Sequence, residues 1–200
     1  MTTMLDFPPP TITTPGAASF AQLCEALEAM NEHVPAGFSA EIIGGKIVLS
    51  PWSKPSYQAP MLSLRDQLRP RLPVGSNVDT SPFLFVFADA ERAYGPDVHV
   101  TEAAAFASVS EGIRIPGEAL SLVAELTSAS TRDIDYQDKL AVYGRHVPVY
   151  LLLDMQERVL TVFSGPSEWG YTTRTPCKFG DKVHIPAPFD FELDTAGWEA

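Results

Sequence analysis

Three charged side chains stand where secondary structure would deliver them to one place. Asp97 opens a short apolar run directly behind Pro96. Glu125 interrupts the run Leu122-Val123-Ala124-Glu125-Leu126, and Lys139 lies on the helical pattern that follows. A carboxylate inside an apolar strand is costly unless it is paired or binds a cation. Two of them on neighbouring strands make a hard-oxygen site suited to Mg²⁺ or Mn²⁺. A lysine beside them can orient or deprotonate a water and stabilise charge developing on a phosphoryl group. These are the parts that metal-assisted phosphodiester hydrolysis needs. Each residue also has a plainer use. Asp97 can cap the turn after Gly95-Pro96, Glu125 can face water at a sheet edge, and Lys139 can be a solvated helix residue.

Other reactive side chains form weaker patterns. His33, His99, His146 and His184 are scattered, with no pair at metal-ligand spacing. His99 is two residues from Asp97 and shares its strand face, where a packed histidine is the simpler reading. Ser128, Ser130 and Thr131 could touch a phosphate, but capping the next helix is the plainer use. Arg65, Arg69 and Arg71 give one helix a basic edge, either solvated or in contact with a DNA backbone. Trp52, Trp169 and Trp198 are too dispersed for a base-stacking platform. No Walker loop or G-x-G-x-x-G occurs.

The elements that must position these residues can be read from periodicity. Phe20, Leu23, Leu27 and Met30 form one helical stripe that stops by Pro35 and Gly37. Two β-branched runs flank Gly44-Gly45 and predict a hairpin over residues 39–50. Tyr57, Met61, Leu64, Leu68 and Leu72 predict a second helix over 56–72, with Pro60 tolerated in its first turn and Pro70 ending it. Strands are expected at 83–87, 97–100 and 122–126, then a helix over 135–146 and a strand at 149–153. The chain closes with two or three more strands over 159–164, 170–175 and 182–185. A strand–helix–strand step in mid-chain implies a parallel pair with a right-handed crossover. The expected architecture is an α/β or α+β domain with a mixed sheet.

Composition narrows the function classes. The 200 residues are 45% apolar and 20% charged, which excludes global disorder. Residues 1–16 read as an arm, with Pro8, Pro9, Pro10 and Pro15 among five threonines, leaving one domain over 17–200. The longest apolar run, Val147 to Leu153, is too short for a membrane span. No secretory pattern is visible, and Cys24 and Cys177 make no disulfide framework, so a reducing cytoplasm is expected. A net charge of −11 argues against gripping nucleic acid by bulk electrostatics. It leaves room for carboxylates gathered around a cation, whose own charge inverts the local balance.

Several ordered stretches resemble the Uma2 family of restriction-endonuclease-like proteins, built on the PD-(D/E)XK nuclease fold. They are Gly95-Pro96-Asp97-Val98-His99-Val100, the run from Leu122 to Thr131, Asp135 to Leu140, and Val147 to Asp154. Glu41 to Pro51 resembles the family's opening hairpin, and Ile185 to Thr195 its closing segment. The likeness spans about residues 38–197.

The resemblance implies an α/β core with a central mixed sheet flanked by helices, and an endonuclease hydrolysing DNA with Mg²⁺ or Mn²⁺. Asp97 and Glu125 would ligate the metal, and Glu41 would complete its shell or hold a water. The motif's usual lysine, two residues after Glu125, is replaced by Thr127. Lys139 on the following helix would supply it, with Asp135 pairing one turn earlier. Tyr57 stands where many members carry a histidine, Gly44-Gly45 replaces an acidic turn, and Ser128-Ala129-Ser130 replaces Ser-Pro-Ser. A homodimer would fit a nuclease that cuts two strands. The alternative is a nuclease-fold module of weak or no activity that binds a protein or nucleic-acid partner.

Overall fold

The computed structural model describes residues 18–31, 33–35, 38–51, 54–80, 83–107 and 114–198. The arm over residues 1–16, with Gly37 and Trp52, lies outside them. The first helix, α1 (Phe20–Asn31), begins with a reciprocal cap. Ser19 Oγ accepts the Gln22 N–H at 3.3 Å, and Gln22 Oε1 accepts the Ser19 N–H at 2.8 Å. Its inner face buries Cys24 and Leu27 against Ile42, Leu84 and Ala93. Met30, at the C-terminal end of the predicted stripe, stays 40% exposed.

The hairpin forms as expected from β1 (Phe38–Ile43) and β2 (Lys46–Pro51). Ile43 pairs with Lys46, and Gly44 and Gly45 take φ of +57° and +71°. Two successive positive φ values suit a two-residue hairpin turn and favour glycine. The second helix, α2 (Gln58–Leu68), is flanked by short 3₁₀ turns at Pro55–Tyr57 and Arg69–Arg71. Pro60 sits in its first turn and Pro70 lies just past its end, as proline's missing donor requires. Arg65 on this helix is paired with Asp66 at 2.7 Å, which offsets its basic edge.

One central mixed sheet was expected; the strands divide between two. The first runs β2-β1-β5-β4-β7, with β4 (Leu84–Phe87), β5 (Arg92–Tyr94) and β7 (Arg114–Pro116). The second runs β11-β10-β9-β8-β6-β3. Its strands are β3 (Ser76–Asp79), β6 (Val98–Glu102), β8 (Leu120–Thr127), β9 (Val149–Asp154), β10 (Val159–Ser164) and β11 (Thr173–Lys178). A ribbon of β12 (Lys182–Ile185) and β13 (Phe191–Asp194) follows. Both larger sheets are mixed, since β4/β7 and β8/β9 are parallel and the other pairs antiparallel. The α/β class and the β8/β9 crossover therefore agree with expectation. Strands β3, β5, β7 and β13 escaped it because three or four residues are too few to show alternation.

The second sheet is covered on both faces. Leu122, Ala124 and Leu126 point toward α2 and the β12–β13 ribbon, packing with Leu64, Leu68, Ile185 and Leu193. Val123 turns the other way, toward Tyr143, Phe85, Phe87 and Tyr94. Glu125 and Thr127 share that second face by strand alternation. A short helix, α3 (Ala103–Ala107), follows β6.

The crossover helix is not uniform. It runs from α4 (Arg132–Ile134) through a π turn at Asp135–Lys139 into α5 (Leu140–His146). It is seated closely on the β10–β11 connection. Gly144 carbonyl accepts the Ser167 N–H at 3.1 Å. A Cβ at Gly144 would come within 2.9 Å of Gly170 Cα and Tyr171 N, so only glycine permits this approach. Among the described residues no helix is long and apolar enough to cross a membrane.

Candidate active site

Three elements converge on one buried ammonium. Lys139 ends the π turn, and its Nζ lies 3.0 Å from Glu125 Oε1 on β8 and 3.1 Å from Glu41 Oε1 on β1. Asp135, which opens the same π turn, places Oδ1 3.5 Å from it. The four side chains are only 3–7% exposed. Single π turns inside helices recur at functional sites.

The carboxylates are held from behind. Tyr143, one turn beyond Lys139, donates its hydroxyl to Glu125 Oε1 at 2.9 Å. Gly95 donates its N–H to Glu41 Oε1 at 2.8 Å. Tyr150 donates to the Asp135 carbonyl at 3.2 Å. The Tyr94 ring lies 5.7 Å from Lys139 Nζ, within cation–π range. Tyr94 donates its hydroxyl to Asp138 Oδ2 at 2.6 Å, and Arg92 grips the same carboxylate at 3.0–3.2 Å.

Asp97 stands at the edge of this group. It lies one residue before β6, where the Val98–Ala124 pairing sets it abreast of Glu125. It is half-buried, and its Oδ2 accepts the Leu126 N–H at 2.8 Å. The structure thus brings Glu41, Glu125, Lys139 and Asp135 into direct contact, with Asp97 beside them.

The charges shape one another. Burial pushes Glu125 well above the ordinary carboxylate range. Asp135, Asp97 and Glu41 push it further, while Lys139 opposes them. Burial likewise lifts Asp135 to about 6, against the pull of Lys139 and the Thr131 hydroxyl. Burial works against the Lys139 ammonium, but Glu125, Glu41 and Asp135 outweigh it and hold its pKa well above the usual lysine value. Tyr143 is pushed up by burial and then by Glu125 and Glu41, so it stays a neutral donor.

A pH dependence follows from Asp135. Its folded pKa lies above its unfolded one, so the folded state holds the proton more tightly and stability falls as pH rises between about 4 and 6. The rise from 3.8 to about 6 corresponds to something on the order of 3 kcal/mol. Thermal melts from pH 4 to 7 are expected to decline less steeply for Asp135→Asn than for the unaltered protein. Parallel declines would assign the effect to other groups.

The remaining sequence candidates take structural places. His99 is buried, packs edge-on against Phe83 and Phe85, and its Nδ1 lies 2.9 Å from Thr101 Oγ1. Ser128, Ser130 and Thr131 form a hydroxyl cluster at 2.9–3.1 Å that ties the turn entering the crossover helix. Tyr57 lies among the residues of the opposite core, and its hydroxyl donates to the Thr127 carbonyl at 3.2 Å. Surface grooves of about 360 and 700 Å³ are lined by none of Glu41, Asp97, Glu125, Asp135 and Lys139.

Tyr143, Tyr94, Arg92 and Asp138 escaped the sequence reading as site residues. Tyr143 carried a signal, since it follows Lys139 at i+4 on one helix face. The Tyr94–Asp138 bond joins separate elements and left none.

The donor set suits a hard divalent cation, because carboxylate oxygens are what Mg²⁺ and Mn²⁺ select. Three carboxylates share one ammonium with Asp97 alongside, leaving negative charge in excess. Among the described residues no three His, Cys, Asp or Glu side chains stand as a ready-made cage. The Lys139 ammonium occupies the space between the carboxylates instead.

Comparison with known proteins bears on this geometry. A solved structure titled as a putative nuclease belonging to DUF820, from Anabaena variabilis ATCC 29413, superposes with a TM-score of 0.61. The match is at 13% identity and covers 81% of this chain and 92% of that one, so the two share a fold. No curated protein matches. The family model of Uma2, described as "Putative restriction endonuclease", matches residues 19–196. With nearly the whole described fold inside that match, the chain belongs to the Uma2 family.

Proposed function

We propose that the protein is a divalent-metal-dependent endonuclease that hydrolyses DNA phosphodiester bonds. The observation that carries this reading is the single buried Lys139 ammonium among Glu41, Glu125 and Asp135, with Asp97 abreast of Glu125. Asp97, Glu125 and Glu41 are the residues that would hold Mg²⁺ or Mn²⁺. When bound, such an ion polarises the phosphoryl oxygen and acidifies a water. Lys139 would orient a water and balance charge developing on the phosphoryl group. Tyr143 and the Gly95 N–H each fix one carboxylate oxygen, which keeps Glu125 and Glu41 from turning.

The near-complete burial of the cluster favours a second reading, in which the site is a structural knot and the domain binds a partner. Supercoiled plasmid separates the two. Nicking is expected with Mg²⁺ or Mn²⁺ and not with EDTA, and Asp97→Asn should slow it by on the order of 100-fold. An Asp97→Asn protein that cleaves at the unaltered rate would remove Asp97 from the mechanism. No cleavage by either protein favours the binding module.

A further inference from the structure

Thr127 is an unexplained feature of the site wall. It lies two residues after Glu125 on β8 and on the same face of the sheet. Its side chain is fully buried, and its Oγ1 has no hydrogen-bond partner within the protein. The neighbours that could have satisfied it are committed elsewhere. Asp154, directly across the β8/β9 pair, accepts from Arg132, Tyr136 and the N–H groups of Gln156 and Glu157. The hydrogen bond from Tyr57 goes to the Thr127 carbonyl, not to the hydroxyl. A buried hydroxyl without a partner is costly, and valine has the same shape without that cost.

A threonine hydroxyl donates one hydrogen bond and accepts others, which matches water better than it matches an ammonium or a bare cation. Along the strand its position stands about 7 Å from that of Glu125, a span that a cation on the carboxylate and one water on that cation would fill together. We propose that Thr127 is a positioning residue of this site, its hydroxyl holding a water that hydrates the divalent cation carried by Glu125. This rests on the metal-dependent reading above.

The test is Mn²⁺ affinity by calorimetry, without DNA, for the unaltered protein, Thr127→Val, Thr127→Ala and Thr127→Ser. Loss of the hydroxyl in Val and Ala is expected to weaken Mn²⁺ binding about 10-fold, and Ser to restore it to within about twofold. Two hydroxyl-free variants keep the outcome independent of how either one folds. Melting gives the second readout. In EDTA, with the cation and its water removed and the hydroxyl left without a partner, Thr127→Val should melt higher than the unaltered protein, and saturating Mn²⁺ should erase that advantage. No difference between EDTA and Mn²⁺ overturns the proposal. Unchanged Mn²⁺ affinity in Val and Ala overturns the proposal, while Mn²⁺ binding and plasmid nicking by the unaltered protein would leave the proposed function standing. An unaltered protein that binds no Mn²⁺ overturns both.

Discussion

Lys139→Met is expected to destabilise the protein by about 3–5 kcal/mol, the usual cost of removing one partner from a buried ion cluster. Methionine keeps the length of the lysine stem and its packing against the Tyr94 ring. What disappears is the ammonium that lies 3.0–3.5 Å from Glu125, Glu41 and Asp135. The carboxylates would then repel one another in a site from which water is excluded. They escape only by binding protons, so their folded pKa values move further above the unfolded ones. By linkage the loss is then smallest in acid and grows as pH rises through 5 to 8. For a chain of this size the shift in melting temperature should be on the order of 10 °C at pH 8. Under the metal-dependent reading, millimolar Mn²⁺ should recover part of it, because a ligand that binds only the folded state stabilises that state. Melts at pH 5 and pH 8, with Mn²⁺ and with EDTA, check each arm. A variant that melts with the unaltered protein at pH 8 would mean that the carboxylates are already protonated and the ion cluster is not one.

Glu125→Gln is expected to do the reverse, removing activity while sparing the fold. The amide oxygen can still accept from Tyr143 and Lys139, so the two bonds that reach Oε1 survive. Burial already disfavours charge at this position, so neutralising it should leave stability within about 1 kcal/mol or raise it. Lys139 keeps Glu41 and Asp135 as counter-ions. The charge that would hold a divalent cation is lost. Plasmid nicking is therefore expected to fall on the order of 100- to 1000-fold, with Mn²⁺ heats falling in parallel. Undiminished nicking would place the chemistry elsewhere. Collapse of the fold together with the activity would mark Glu125 as a structural keystone.

The two variants differ because the cluster is unbalanced. Removing its one cation exposes every repulsion at once. Removing one of its anions relieves a repulsion and leaves the others compensated. Under the metal-dependent reading, a bound cation would reverse the local sign at this imbalance, so a strongly acidic chain could carry a site for an anionic substrate.

Much of the local structure was legible because it depends on residues close in sequence. Gly44-Gly45 between β-branched runs could form little except a tight hairpin. The stripes of α1 and α2 and the proline that ends α2 followed from 3.6-residue periodicity and a missing N–H. The apolar runs of β8 and β9 around a helix implied the parallel pair that the register shows. Glu125 and Asp97 drew attention for the same local reason, as carboxylates that a strand delivers to a covered sheet. Lys139 was singled out by its place on the helix after Glu125, and the resemblance to Uma2 added Glu41.

Tertiary structure alone decided which of these residues meet. Periodicity places Lys139 on a helix face but cannot say that a hairpin glutamate from the first sheet will reach the same ammonium as a strand glutamate from the second. That depends on how two sheets pack across the crossover helix, and on the π turn that sets Asp135 and Lys139 both inward. The split into two sheets was hidden because β3, β5 and β7 are too short to have a pattern. The Arg92–Asp138–Tyr94 brace joins elements far apart in the chain, and no local rule links them. Thr127 is the clearest case. Its type and spacing looked like an absence, and only the packing around it shows a buried hydroxyl with no protein partner.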